Sequence, residues 1–188
     1  MRRLDGRDAP AGTLLPHLAG PASGLRQVLA AHAVRRCAHI VEIGGAGLPI
    51  TGFLTHRPAS VTVIDPKIPR FESDRLNDSP CAVRHLDIKL QAASLPDEPD
   101  FALVLLGLSL KPFGSQDAVP PELLARAGSA RALVIDYALD LPRAQGQIGA
   151  LLASRADKPR IDLAMTIEDE PLRLAGFDRR RFVAFGEV

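Results

Sequence analysis

The stretch Ile40-Val41-Glu42-Ile43-Gly44-Gly45-Ala46-Gly47-Leu48-Pro49-Ile50-Thr51-Gly52-Phe53-Leu54 decides how the chain is read. Its first four residues are an apolar, β-branched run too short for a helix, and they predict a buried strand. Gly44, Gly45 and Gly47 then fall within four positions, with Ala46 between them. Without a Cβ the backbone there turns sharply and lets a ligand approach closely. Beyond Pro49, Thr51 and its apolar neighbours predict a helix that starts near or after the proline. Strand, glycine turn and helix in this order predict a doubly wound α/β sheet, in which ligands sit at the carboxyl ends of the strands. Glu42 is charged inside the apolar run and needs partners, which turn amides beside a ligand would supply. The same glycines would equally serve a turn that only joins a strand to a helix.

Working outward toward the C-terminus, Val61-Thr62-Val63-Ile64 predicts a second strand ending on Asp65-Pro66. Asp65 lies 23 residues beyond Glu42, near the ~20-residue offset at which an acid meets a ribose diol. A carboxylate suits that task because it accepts two parallel hydrogen bonds from vicinal hydroxyls. An aspartate before a proline also forms turns, so both readings stand. Residues 69 to 80 are polar and broken, with a short helix expected around 73 to 77. Residues 82 to 86 predict a third strand, closing on Asp87-Ile88. The run from Asp100 to Gly107 is apolar without alternation, as in a central parallel strand covered on both faces. A helix opens at Pro120-Pro121 and stops at Gly128. Residues 132 to 135 predict a fifth strand ending on Asp136-Tyr137, followed by a helix from about 143 to 155.

The tail reads two ways: a strand over 161 to 167, or a helix capped by Thr166 and running through Leu174. Phe182-Val183-Ala184-Phe185 supplies a final strand, and Arg179-Arg180-Arg181 reads as a solvated turn. Toward the N-terminus, Ser23 caps a helix to about Arg36, with Leu25, Val28, Leu29, His32, Ala33 and Arg36 as its stripe. Residues 1 to 22 form an irregular arm rich in proline and glycine.

Glu42-x-Gly44-Gly45-Ala46-Gly47 resembles the first motif of class I S-adenosylmethionine-dependent methyltransferases, although that family commonly has glycine where Ala46 and Leu48 stand. Asp65, Asp87 with Ile88, and Leu174-Ala175-Gly176-Phe177 before a last strand follow in the family's order. The resemblance covers about residues 23 to 187. It implies a Rossmann-like methyltransferase fold, an α/β, doubly wound and mostly parallel sheet of order 3-2-1-4-5 with a late antiparallel strand or strands. Residues 23 to 188 would form that single domain. It further implies S-adenosylmethionine as cofactor and S-adenosylhomocysteine as product, held by Glu42, Gly44, Gly45, Ala46, Gly47, Asp65, Asp87, Ile88 and Gly107. In a parallel sheet the loops after the fourth and fifth strands open at the edge of the glycine turn. That places Ser109, Lys111 and Phe113 on one wall of an acceptor pocket, and Asp136 and Tyr137 on the other. The loop from Gly107 to Phe113 does not read Asn/Asp-Pro-Pro-Tyr/Phe, so methylation of nucleic-acid bases loses support. The expected function is methyl transfer to a small-molecule acceptor. No catalytic residue is assigned, because proximity and orientation supply much of such catalysis. Two alternatives remain: a methyltransferase-like protein without activity that binds or assembles with a protein, and a nicotinamide dinucleotide-binding protein. The latter would want Gly-x-Gly-x-x-Gly and a longer chain.

Composition narrows the classes. At 188 residues the chain suits one domain with a sizeable core, and 46% hydrophobic with 24% charged residues is ordinary for a soluble globular protein. A formal charge of +1 recruits neither nucleic acid nor an anionic membrane. Cys37, Cys81 and five scattered histidines offer no metal-ligand spacing, so no metal is expected. The thiols, the lack of an apolar leader and the lack of an apolar run of about 18 residues point to the cytoplasm.

Overall fold

A computed structural model describes residues 21–45, 48–95, 97, 100–106, 121–139, 142–155, 161–166, 170–174 and 178–186. Helix α1 (Pro21–Ala33) leads into strand β1 (His39–Gly44). Strands β2 (Ser60–Ile64), β3 (Phe71–Leu76), β4 (Ser79–Leu86) and β5 (Phe101–Leu106) follow. Then come α2 (Pro121–Ser129), β6 (Ala132–Ala138), α3 (Pro142–Ala153), β7 (Ile161–Thr166), the short α4 (Glu170–Leu174) and β8 (Arg179–Phe185).

One eight-stranded sheet runs β3-β4-β2-β1-β5-β6-β8-β7. The pairs β2·β4, β1·β2, β1·β5 and β5·β6 are parallel; β3·β4, β6·β8 and β7·β8 are antiparallel. The five parallel strands thus stand in the order 3-2-1-4-5 that the family resemblance implied, with β3 as an antiparallel edge strand that it did not. Every residue of β5 and β6 is buried, as the unbroken apolar run of β5 requires when both faces are covered. On one face α1 packs Ala30, Ala33 and Val34 against Ile40, Val104 and Phe182. On the other, Leu123 of α2 and Ile148 and Leu151 of α3 cover Val41, Leu103 and Ile135. None of the described helices is long and apolar enough to cross a membrane.

Three local expectations are corrected, and the open choice for the tail is decided. The helix after the glycine turn is a single 3-10 turn, Ile50–Gly52. Pro49, Gly52 and Pro58 leave too few residues between breakers to nucleate an α-helix, yet Ile50 and Leu54 still bury against the sheet. The short helix expected around 73 to 77 is instead strand β3, antiparallel to β4. Asn77 and Asp78 make the hairpin turn, both with positive φ (47° and 61°). Both late strands form, and Thr166 closes β7 rather than capping a long helix. Finally, the stripe of α1 is rotated: Leu25 and Val28 are exposed, while Arg26, Gln27, Ala30 and Ala33 are buried. Small alanines let the helix lie close on the sheet, and the larger side chains turn outward.

Candidate functional site

The carboxyl ends of β1, β2, β4, β5 and β6 meet along one edge, where the order of the sheet reverses between β1 and β5. In open parallel sheets that reversal opens a crevice for ligands. Gly44 and Gly45 lie there with φ of 88° and 105°, values that L side chains rarely adopt. A Cβ on Gly44 would collide with the Leu106 carbonyl oxygen of β5. On Gly45 it would stand 2.9 Å from Glu42 Oε1 and 3.3 Å from Gln27 Nε2. Both glycines are therefore demanded by the protein's own packing at the turn. Leu48 N–H closes the turn on the Gly45 carbonyl at 3.2 Å.

Glu42 projects from β1 toward α1 and is wholly buried. Its Oε2 accepts the Ile50 N–H at 2.7 Å, so a backbone amide just beyond the turn is one partner, and its Oε1 accepts Gln27 Nε2 at 2.9 Å. Burial pushes the Glu42 carboxyl up to about 7, against the opposing pull of the Ile50 amide, Gln27 and Arg26; nearby Asp65 adds to the rise.

Asp65 stands at the end of β2 and is buried. Its Oδ1 accepts the Lys67 N–H at 2.8 Å, and its carbonyl accepts Ile68 N–H, so the turn role is present. Asp65 N–H bonds the Leu86 carbonyl, which sets the acid beside the end of β4. Asp87 there is exposed, and Ile88 is half-buried against the α2–α3 face. Ala46, Gly47, Gly107, Ser109, Lys111, Phe113 and residues 175 to 177 lie outside the described residues.

Asp136 and Tyr137 point to opposite faces of β6. Asp136 is wholly buried on the α1 face, where Arg180 of β8 reaches it with Nε at 3.0 Å and Nη2 at 2.8 Å. Arg26 Nη1 joins at 3.0 Å. Tyr137 is buried on the other face, and its hydroxyl accepts from Arg181 Nη1 at 3.3 Å. Arg181 also forms a bidentate pair with Asp162 of β7, which holds the Asp162 carboxyl below its usual range. The three arginines expected in a solvated turn are thus part of β8, and Arg180 is only 1% exposed.

The sequence reading missed Arg26, Gln27 and Arg180. For the first two a signal existed: positions 26/27, 30, 33/34 and 37 follow helical spacing with small or thiol residues after the polar pair. For Arg180 none did, since its partner lies 44 residues away.

No family model and no curated protein sequence matches the chain. Among solved structures it is similar to the N-methyltransferase NodS from Bradyrhizobium japonicum WM9, a crystal structure in complex with S-adenosyl-L-homocysteine. The identity is 12% and the TM-score 0.51, over 90% of this chain and 89% of that one. At that identity the likeness speaks for a shared fold.

Proposed function

We propose that this protein binds S-adenosylmethionine at the carboxyl edge of β1, β2 and β5 and transfers its methyl group to a small-molecule acceptor. The observation that carries the reading is the coincidence of the glycine turn with the reversal of strand order, one strand away from the acid at the end of β2. The likeness to a methyltransferase structure supports the same reading at the level of fold. The residues fit such a cofactor: the turn at Gly44 and Gly45 brings backbone to the crevice, Asp65 offers a carboxylate for a diol, and Asp87 and Ile88 offer a polar and an apolar neighbour for a base. The cofactor would supply a sulfonium-activated methyl group. The protein's share is to bind, orient and exclude water. Ser109, Lys111 and Phe113 remain the proposed acceptor wall.

A second reading, a binding or assembly protein without transfer, is favoured by one observation. Gly44 and Gly45 are required by contacts within the protein itself, which a chain without cofactor would need equally.

Titration calorimetry with S-adenosylhomocysteine, S-adenosylmethionine and NAD tests the proposal. Binding of the first two at micromolar range without NAD binding is expected. Asp65→Asn keeps an oxygen for the Lys67 amide but loses the carboxylate, and should weaken binding by about 1–3 kcal/mol. Unchanged affinity would remove the ribose role from Asp65. Labelled-methyl transfer to a panel of small amines, alcohols and carboxylates then separates an enzyme from a binding protein.

A further inference from the structure

Helix α1 carries two polar residues into the apolar layer beneath the glycine turn. Gln27 is fully buried and Arg26 is 2% exposed, although Leu25 and Val28 beside them stand in solvent. Each has one buried polar atom, Gln27 Oε1 and Arg26 Nε, with no hydrogen-bond partner among the described residues. Apolar residues at these positions would avoid that destabilisation, so packing alone does not account for them.

Their satisfied atoms do. Gln27 Nε2 donates to Glu42 Oε1 and also to the Leu48 carbonyl. Arg26 Nη2 reaches the Gly45 carbonyl at 3.4 Å, a long contact, while its Nη1 is anchored on Asp136. Two adjacent side chains therefore hold the Gly45 and Leu48 carbonyls. Glu42 fixes the Ile50 amide just beyond.

We propose that Arg26 and Gln27 are positioning residues for the ligand site: they set the conformation of the glycine turn, and with it the turn's affinity for a bound cofactor, from a helix outside the strand edge. The identity of the ligand rests on the cofactor reading above; the grip on the turn rests on the contacts themselves. Glu42 reports on the grip. The charged groups that face it are Arg26 from α1, which favours its carboxylate, and Asp65 after β2, which opposes it. Gln27 and the Ile50 amide also favour the carboxylate, so deleting the Gln27 donor raises the Glu42 midpoint. A residue that only filled space would not move it.

The test compares the wild-type protein with Gln27→Met, which keeps length and helix propensity but removes the amide. Calorimetry with S-adenosylhomocysteine, NMR titration of the Glu42 carboxyl carbon and hydrogen exchange at the Ile50 amide are the readouts. Expected are about tenfold weaker binding, a Glu42 midpoint higher by about half a unit or more, and faster Ile50 exchange. Wild-type affinity with an unmoved Glu42 titration overturns the proposal. If the wild-type protein binds no S-adenosylhomocysteine, the cofactor reading fails, and the other two readouts decide the grip: a raised midpoint with faster exchange supports it, unchanged values overturn it. If Gln27→Met does not fold, Gln27→Asn, which keeps the amide but shortens its reach, is read by the same three measurements; a raised Glu42 midpoint with faster Ile50 exchange supports the proposal, and unchanged values overturn it.

Discussion

Glu42 shows at the scale of one residue how an apolar strand tolerates a charge. Its two oxygens find one backbone amide and one side-chain amide. The need for partners was legible in the sequence, because a charge inside Ile40-Val41-Glu42-Ile43 has no other reason to stay. That Gln27 is one of them was not, since helix phase decides which residue faces the strand. The consequence is a pH dependence with a definite sign. The carboxyl sits at an ordinary 4.5 when unfolded and about 7 when folded, so the folded state binds the extra proton between those values. Stability from this group is therefore present below about pH 4.5 and declines as pH rises through about 7, by about 3 kcal/mol at most. Glu42→Gln keeps an oxygen for the Ile50 amide and has no proton to lose. Chemical denaturation across that window should show a shallower pH slope in the variant; parallel slopes would mean that Glu42 does not carry the dependence.

Among the elements, those with strong internal signals formed as read and those governed by tertiary pairing did not. Strand β5 announces itself by unbroken apolarity, and β6 by the run Ala132-Leu133-Val134-Ile135. Strand β3, Phe71–Leu76, carries four polar residues in six and is exposed along most of its length, so nothing in its pattern separates strand from loop. Its partner decides it: β4 supplies the ladder, and the Asn77-Asp78 pair supplies the turn. Phe71 packs against His85 across the pair, with ring centroids 5.2 Å apart and the planes tilted by 48°. Both turn residues hold positive φ, the geometry in which a two-residue hairpin favours Asn followed by Gly. Asp78→Gly should accordingly stabilise the protein by a few tenths to about 1 kcal/mol, and the Arg75 bond to the residue 78 carbonyl is retained because it uses backbone. A lower denaturation midpoint in Asp78→Gly would contradict this account of the hairpin.

Across the whole molecule, the five parallel strands were legible because each is bounded by its own breakers, while their order followed only from the family resemblance. What ties the ends of the chain together was not legible. Asp136 in the middle of the sheet joins Arg26, 110 residues earlier, to Arg180, 44 residues later. Sequence-local reasoning has no access to pairs at such separations, and it read Arg180 as part of a solvated turn. Each of the three is at most 2% exposed. In such surroundings removing Asp136 deletes the carboxylate that Arg26 and Arg180 share, whereas replacing the set by apolar side chains removes the buried charges together. Asp136→Ala should thus cost about 3–5 kcal/mol, read as a lower denaturant midpoint. The triple variant Arg26→Met, Asp136→Leu, Arg180→Met should regain most of that loss. The two variants differ in stability but agree on ligand binding. Neither keeps Arg26 anchored toward the Gly45 carbonyl, so both should bind S-adenosylhomocysteine more weakly than the wild-type protein, the triple variant despite its recovered stability. An Asp136→Ala protein as stable as wild type would show that the network does not hold the ends of the chain. A stable triple variant with full affinity would show that it holds the ends but not the turn.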